Sequence, residues 1–263
     1  MLFVLAALAA PVFPGLVSRL GAQGGLEVFS DGSDGDFAPT ASVAVDLSQA
    51  PTGAWDGPNL APGKGVYDAE KWAVVFRYRS VDIPSGVAVT YKNHPSRAPV
   101  VWLVEGDVSL DGSLRIFGQG ATFNTHFASE PGPGGFRGGY GHDVNTLIRS
   151  GGFGPGGGVR LAVSNQGGAG SHATAGGGTA GAGAPYGNAR ALPLAGGSGG
   201  GGGNRFAPSE NLVTGGAGGG AILIAAGGTL SLTGNIDADG GSGASRTGAG
   251  SGGAVRLIAA RVV

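Results

Sequence analysis

Val100-Val101-Trp102-Leu103-Val104-Glu105-Gly106-Asp107-Val108-Ser109-Leu110-Asp111-Gly112 is the stretch on which the fold turns. It aligns without gaps on Ile222-Leu223-Ile224-Ala225-Ala226-Gly227-Gly228-Thr229-Leu230-Ser231-Leu232-Thr233-Gly234. The match runs on through Ser113-Leu114 against Asn235-Ile236 and ends with Gly118 opposite Gly240. Each copy reads as an apolar strand, a glycine turn, an alternating strand, a glycine and a further strand. A partial third copy, Gly252-Gly253-Ala254-Val255-Arg256-Leu257-Ile258-Ala259, echoes Gly219 to Ala226, and Gly157 to Val163 is a weaker fourth.

Short strands that recur with self-similarity and are punctuated by glycine predict a solenoid. The expected fold is all-β: a right-handed parallel β-helix-like solenoid carrying a glycine-rich insert, with a β-sandwich containing one duplicated hairpin as the alternative. Upstream, Ala73 to Arg79 and Val87 to Tyr91 read as strands, and the continuous apolar run at Val100 suits a strand buried on both faces. Small residues such as Ala225, Ala226, Ala259 and Ala260 would line a narrow core. The expected organisation is a signal peptide over 1–22, a β-rich capping region over 23–98 and a solenoid over 99–263. Within the last, about 119–218 form the glycine-dominated insert.

That insert contains runs such as Gly176-Gly177-Gly178 and Gly199 through Gly203 and shows no helical periodicity. Two readings stand. Polyglycine II helices, extended with three residues per turn and no internal hydrogen bonds, could pack side by side and satisfy one another's backbone groups. Alternatively, the insert is a set of solvated loops.

Composition narrows the function. Glycine supplies 58 of 263 residues, yet 41% of the chain is hydrophobic and the net charge is −1, which does not fit the usual disorder signature. Charged residues make up only 13% and are scattered, so nucleic acid is not an expected partner. The absence of cysteine excludes disulfides and thiolate metal sites. Leu2 to Ala10 is an apolar run too short to span a bilayer comfortably; with Pro11, Pro14 and a cleavage position near Ala22 it predicts export. No transmembrane span is expected after signal removal.

Asp31-Gly32-Ser33-Asp34-Gly35-Asp36-Phe37, Lys71-Trp72-Ala73-Val74-Val75-Phe76 and Val81-Asp82-Ile83-Pro84-Ser85-Gly86-Val87 resemble stretches of glycine-rich secreted bacterial surface proteins of parallel β-helix type. Ala98-Pro99-Val100-Val101-Trp102-Leu103 and the closing Gly-Gly-Ala-Ile/Val repeats resemble them too. The resemblance covers most of the chain and implies an extracellular or surface location. The middle zone is loosely similar to the glycine-rich receptor-binding tips of phage tail fibres. Neither resemblance supplies catalytic residues.

The best small-ligand signal is acidic. Asp31, Asp34 and Asp36 lie close together among glycines, a spacing that suits Ca²⁺ and equally suits Asp side chains bonding local backbone amides. No other cofactor is expected. Trp55, Trp72 and Tyr67 form an aromatic cluster that could stack on glycans or cap the solenoid. Gly196-Gly197-Ser198-Gly199-Gly200 matches a nucleophile-elbow pattern without the strand and helix that the motif needs. The expected function is a non-catalytic, adhesin-like or structural surface element, with itself (end to end or laterally) and cell-surface glycans as partners. The alternative is a pectin-lyase-like polysaccharide enzyme or glycan-binding module.

Overall fold

The computed structural model describes residues 28–123, 127–141, 150–161, 166–177, 181–204, 212–244 and 246–263. The expected signal segment therefore lies outside the described residues.

Strands appear where apolar residues alternate or run on. In chain order they are β1 Gly35–Phe37, β2 Val43–Asp46, β3 Val66–Asp68, β4 Ala73–Ile83, β5 Ala88–Lys92, β6 Val100–Val104, β7 Val108–Leu110 and β8 Ser113–Arg115. They continue with β9 Arg160–Leu161, β10 Gln166–Gly167, β11 Gly203–Asn204, β12 Leu212–Val213, β13 Ala221–Leu232, β14 Asn235–Asp237 and β15 Ala254–Val262. The helical content among the described residues is one 3-10 turn at Leu47–Gln49, capped by Asp46.

The two sequence copies meet residue for residue. Val100 pairs with Ile222, Trp102 with Ile224 and Val104 with Ala226, all in parallel register. Val108 pairs with Leu230 and Ser113 with Asn235 in the same way. β4 joins the other side, with Val74 beside Val100, Phe76 beside Trp102 and Tyr78 beside Val104. The partial third copy, β15, pairs with β13 from Ala221↔Ala254 to Ala226↔Ala259 before the register shifts. A second parallel sheet, in the order β14-β8-β5-β2, lines up Val43, Val89, Leu114 and Ile236.

This architecture overturns the expected right-handed β-helix solenoid. β4 and β13 each pair with both β6 and β7, so these four strands close a circuit of parallel pairings, flanked by the second parallel sheet. A solenoid repeats one coil without closing its strands on each other, whereas here the circuit is closed and β3 joins β4 antiparallel. The β-sandwich alternative falls as well, since the copies associate in parallel rather than as a duplicated hairpin. The weak fourth copy is no member of the main sheet: Arg160–Leu161 pair antiparallel with β10.

Between the two sheets lies one apolar core. Val74, Phe76, Ile83, Val89, Val100, Ile222, Ile224 and Leu230 are fully buried, as is Trp102 at 1% exposure. Each large side chain removed from water stabilises the fold by about 1.5–3 kcal/mol. Ala226 is buried in this core, whereas Ala260, also expected inward, is exposed.

The glycine segments form a bundle against the sheets, and it extends beyond the expected 119–218 to include residues 237–243 and 247–253. Its centre is 195–203. The carbonyls of Gly197 and Gly200 accept from Phe136 and Gly139, at 3.0 and 2.8 Å. Those of Ser198 and Gly201 accept from Ser251 and Gly248, both at 2.9 Å, and the amides of Gly197 and Gly200 donate to Gly219 and Gly216. Residues three apart thus face the same neighbouring segment. Gly199 to Gly203 are buried, so this is packed structure and not solvated loop. Cβ atoms at Gly200, Gly215 or Gly218 would overlap the backbone of an adjacent segment, which explains why the composition is so biased. Gly134 (φ +81°) and Gly154 (φ +97°) reverse the chain where left-handed backbone is required.

Candidate functional site

On β4 the residues Val74, Phe76 and Tyr78 point into the core, and Arg77 falls on the opposite face by strand alternation. Arg77 is nonetheless only 4% exposed. Its backbone binds the loop before β1: the Asp34 amide donates to the Arg77 carbonyl at 2.9 Å, and the Arg77 amide donates to Asp34 Oδ2 at 2.7 Å. Its side chain contributes to a pocket of about 470 Å³ lined by Phe29, Ser30, Asp31, Trp55, Asp56 and Arg77. Arg77 Nη1 pairs with Asp31 Oδ2 at 3.0 Å. Nε and Nη2 are buried without a hydrogen-bond partner among the described residues. Burial raises the Asp31 carboxyl, but hydrogen bonds from Ser33 and the Arg77 charge outweigh this and hold it below its ordinary value.

The three predicted acidic residues do not converge. Asp34 is buried, and its Oδ1 accepts from Asn59 Nδ2 at 2.9 Å and from the Gly63 amide at 2.8 Å. It ties the 59–65 loop to β4. Asp36 pairs with Arg79 at 2.8 Å and accepts from Ser80. Asp31 bonds Ser33 and Arg77. Among the described residues no group of three His, Cys, Asp or Glu side chains is placed to hold a metal.

The aromatic cluster is divided in the same way. Tyr67 stacks on His94 with ring centroids 4.0 Å apart. Trp72 turns the chain between β3 and β4 at φ +48°, donates its Nε1 to the Ser96 carbonyl at 3.1 Å and approaches Phe136 of the glycine bundle. Both pack against the core. Trp55 alone of the three lines the Arg77 pocket, its backbone anchored on Asp68 Oδ2 at 3.1 Å. Arg77 and Asp56 went unrecognised in the sequence. The available signal was an arginine set between two inward-facing aromatics in Phe76-Arg77-Tyr78; nothing local says that a loop 43 residues away covers it.

A second groove, of about 490 Å³, runs between the second sheet and the glycine bundle and includes Lys92, His94, Arg97, Arg115 and Glu130. Its charges are largely engaged. Lys92 pairs with Asp46 at 2.9 Å, and Glu130 receives both Arg97 and Arg137. Burial raises the Glu130 carboxyl, yet the two guanidinium groups bring it below its ordinary value, which makes it a poor proton donor near neutrality. Ser198 of the elbow-like pattern is fully buried; it donates to Tyr186 Oη and accepts from the Gly156 amide. At the far ends of the glycine segments Phe123 and Phe127 are 50% and 82% exposed.

No helix among the described residues is long and apolar enough to cross a membrane. No family model, curated protein or solved structure matches the chain.

Proposed function

We propose that this chain is a non-catalytic, extracellular, adhesin-like surface element: a stiff glycine body that holds a sugar-binding face outward. The observation that carries the reading is the threefold hydrogen bonding around 195–203, where each third residue meets the same neighbour. Backbones locked to neighbours on several sides, with no space for side chains, resist bending and shear. Such a body is suited to presentation outside the cell, in keeping with the apolar N-terminal run at Leu2 to Ala10. The Trp55 pocket supplies an aromatic side chain next to polar groups, the composition of a sugar-binding surface.

Binding of purified, fluorescently labelled chain to intact cells and to a glycan array tests this. Saturable binding competed by soluble glycan is expected. Cytoplasmic retention of the full-length chain in its host, or no glycan binding at all, would overturn it.

A second observation favours self-association. β15 lies at the edge of the main sheet, with Val255 and Val262 exposed at 38% and 55%. Light scattering should show mass rising with concentration, and Val262→Lys should suppress the rise. A mass that stays monomeric at all concentrations would remove this reading.

A further inference from the structure

We infer that the pocket formed by Phe29, Asp31, Trp55, Asp56 and Arg77 is a binding site selective for an uncharged pyranose; this rests on the reading of the chain as a glycan-binding surface element. Arg77 is the key to the pocket. A guanidinium carries five N–H donors and is always charged. Here Nη1 is engaged by Asp31 at 3.0 Å, while Nε and Nη2 are buried, with no hydrogen-bond partner among the described residues. Both are closed off from solvent, so Arg77 serves as a fixed positive charge behind Asp31, and hydrogen bonding to a ligand falls to the two carboxylates of the lining.

The charge of the lining decides which ligand fits. Arg77 contributes one positive charge, and Asp31 and Asp56 contribute one negative charge each, so the lining is net negative. Asp31 is already ionised well into the acidic range because its carboxyl is held below the ordinary value. A uronate or sialate would bring a further negative charge into the same space and be repelled by Asp56. A sugar hydroxyl avoids this, because it carries no charge and donates to either carboxylate. Trp55 and the 72%-exposed Phe29 supply apolar surface for the C–H face of a pyranose ring. The volume of about 470 Å³ falls within the range of small-ligand sites.

The test uses the full chain and isothermal titration calorimetry with neutral methyl hexopyranosides, glucuronic acid and sialic acid. Wild type should bind a neutral glycoside and neither acidic sugar. Trp55→Ala should weaken binding about tenfold. Asp56→Asn should weaken neutral binding several-fold and admit the uronate. Arg77→Met leaves Asp31 unpaired and impairs folding, so Trp55→Ala and Asp56→Asn carry the test, with unfolding midpoints recorded for both.

Neutral-sugar binding unchanged in Trp55→Ala and Asp56→Asn would overturn this assignment while leaving the glycan-binding reading intact, with the site elsewhere. Preference of the wild type for glucuronic or sialic acid would overturn the ligand class. Absence of glycan binding on the array would remove both the reading and the site.

Discussion

Gly200 donates its amide to the carbonyl of Gly216 at 2.9 Å, and a Cβ added at neighbouring Gly215 would overlap the Gly200 carbonyl oxygen. The same two segments are therefore joined by a hydrogen bond and by the lack of side chains. Gly216 in turn donates to Gly248, and Gly248 to Gly201, so a third segment closes the contact.

Alanine at these positions should be far more damaging than its size suggests. Gly200→Ala and Gly215→Ala each force a methyl into backbone that cannot move without breaking its own hydrogen bonds, at a cost of about 1–3 kcal/mol or more. Gly177 is the control: a methyl added there would meet nothing within 4 Å, and its backbone is not left-handed. Gly177→Ala should be neutral or stabilise by up to about 1 kcal/mol. Chemical unfolding of the three variants checks the difference.

Asp34 should prove structural. Its carboxylate holds Asn59, the Gly63 amide and the Arg77 amide together while buried at 8% exposure. Asp34→Ala strands those donors and should destabilise by about 2–4 kcal/mol. Because Asp31 and Asp34 engage different groups of Arg77 and Asp36 pairs with Arg79, calcium or EDTA should leave the melting temperature unchanged. A calcium-dependent rise of several degrees would contradict that placement.

Acid should destabilise the fold in two stages. His94 and His172 are lowered, first of all by burial, so the unfolded chain takes up protons before the native one does. Stability is then lost as pH falls below about 6.5, their unfolded value. Burial raises the carboxyls of Glu130 and Asp68, but both end below their ordinary values. The Arg97 and Arg137 bonds outweigh burial at Glu130, and the backbone amides of Lys71, Trp55 and Glu70 do so at Asp68. Their stabilising contribution is present above about pH 4.5 and is lost as pH falls through the folded-state values. Melting temperatures from about pH 8 down to about pH 3 should decline in that order, and Glu130→Gln should flatten the lower stage.

Parallel pairing was legible in the sequence to the residue. The alignment of Val100 on Ile222 and Ser113 on Asn235 is the register of the sheets, because identical patterns of inward side chains stack best without offset. Their wider arrangement was not legible. A repeat tells which strands can pair, and the glycine insert between the copies is visible in the sequence, but nothing in it says that β4 also bridges β6 and β7. The site was harder still. Trp55, Tyr67 and Trp72 looked like one cluster by proximity in sequence, but β3 and its turn send Tyr67 to His94 and Trp72 to Ser96. Arg77 gained its role only from a loop laid over its strand.

That the glycine segments are packed structure is tested most directly by amide hydrogen exchange. The amides of Gly197, Gly200, Gly216 and Gly248 should exchange as slowly as those of β13, at rates set by global unfolding. Exchange at those glycines close to the rate of an unstructured peptide, with β13 still protected, would contradict the account.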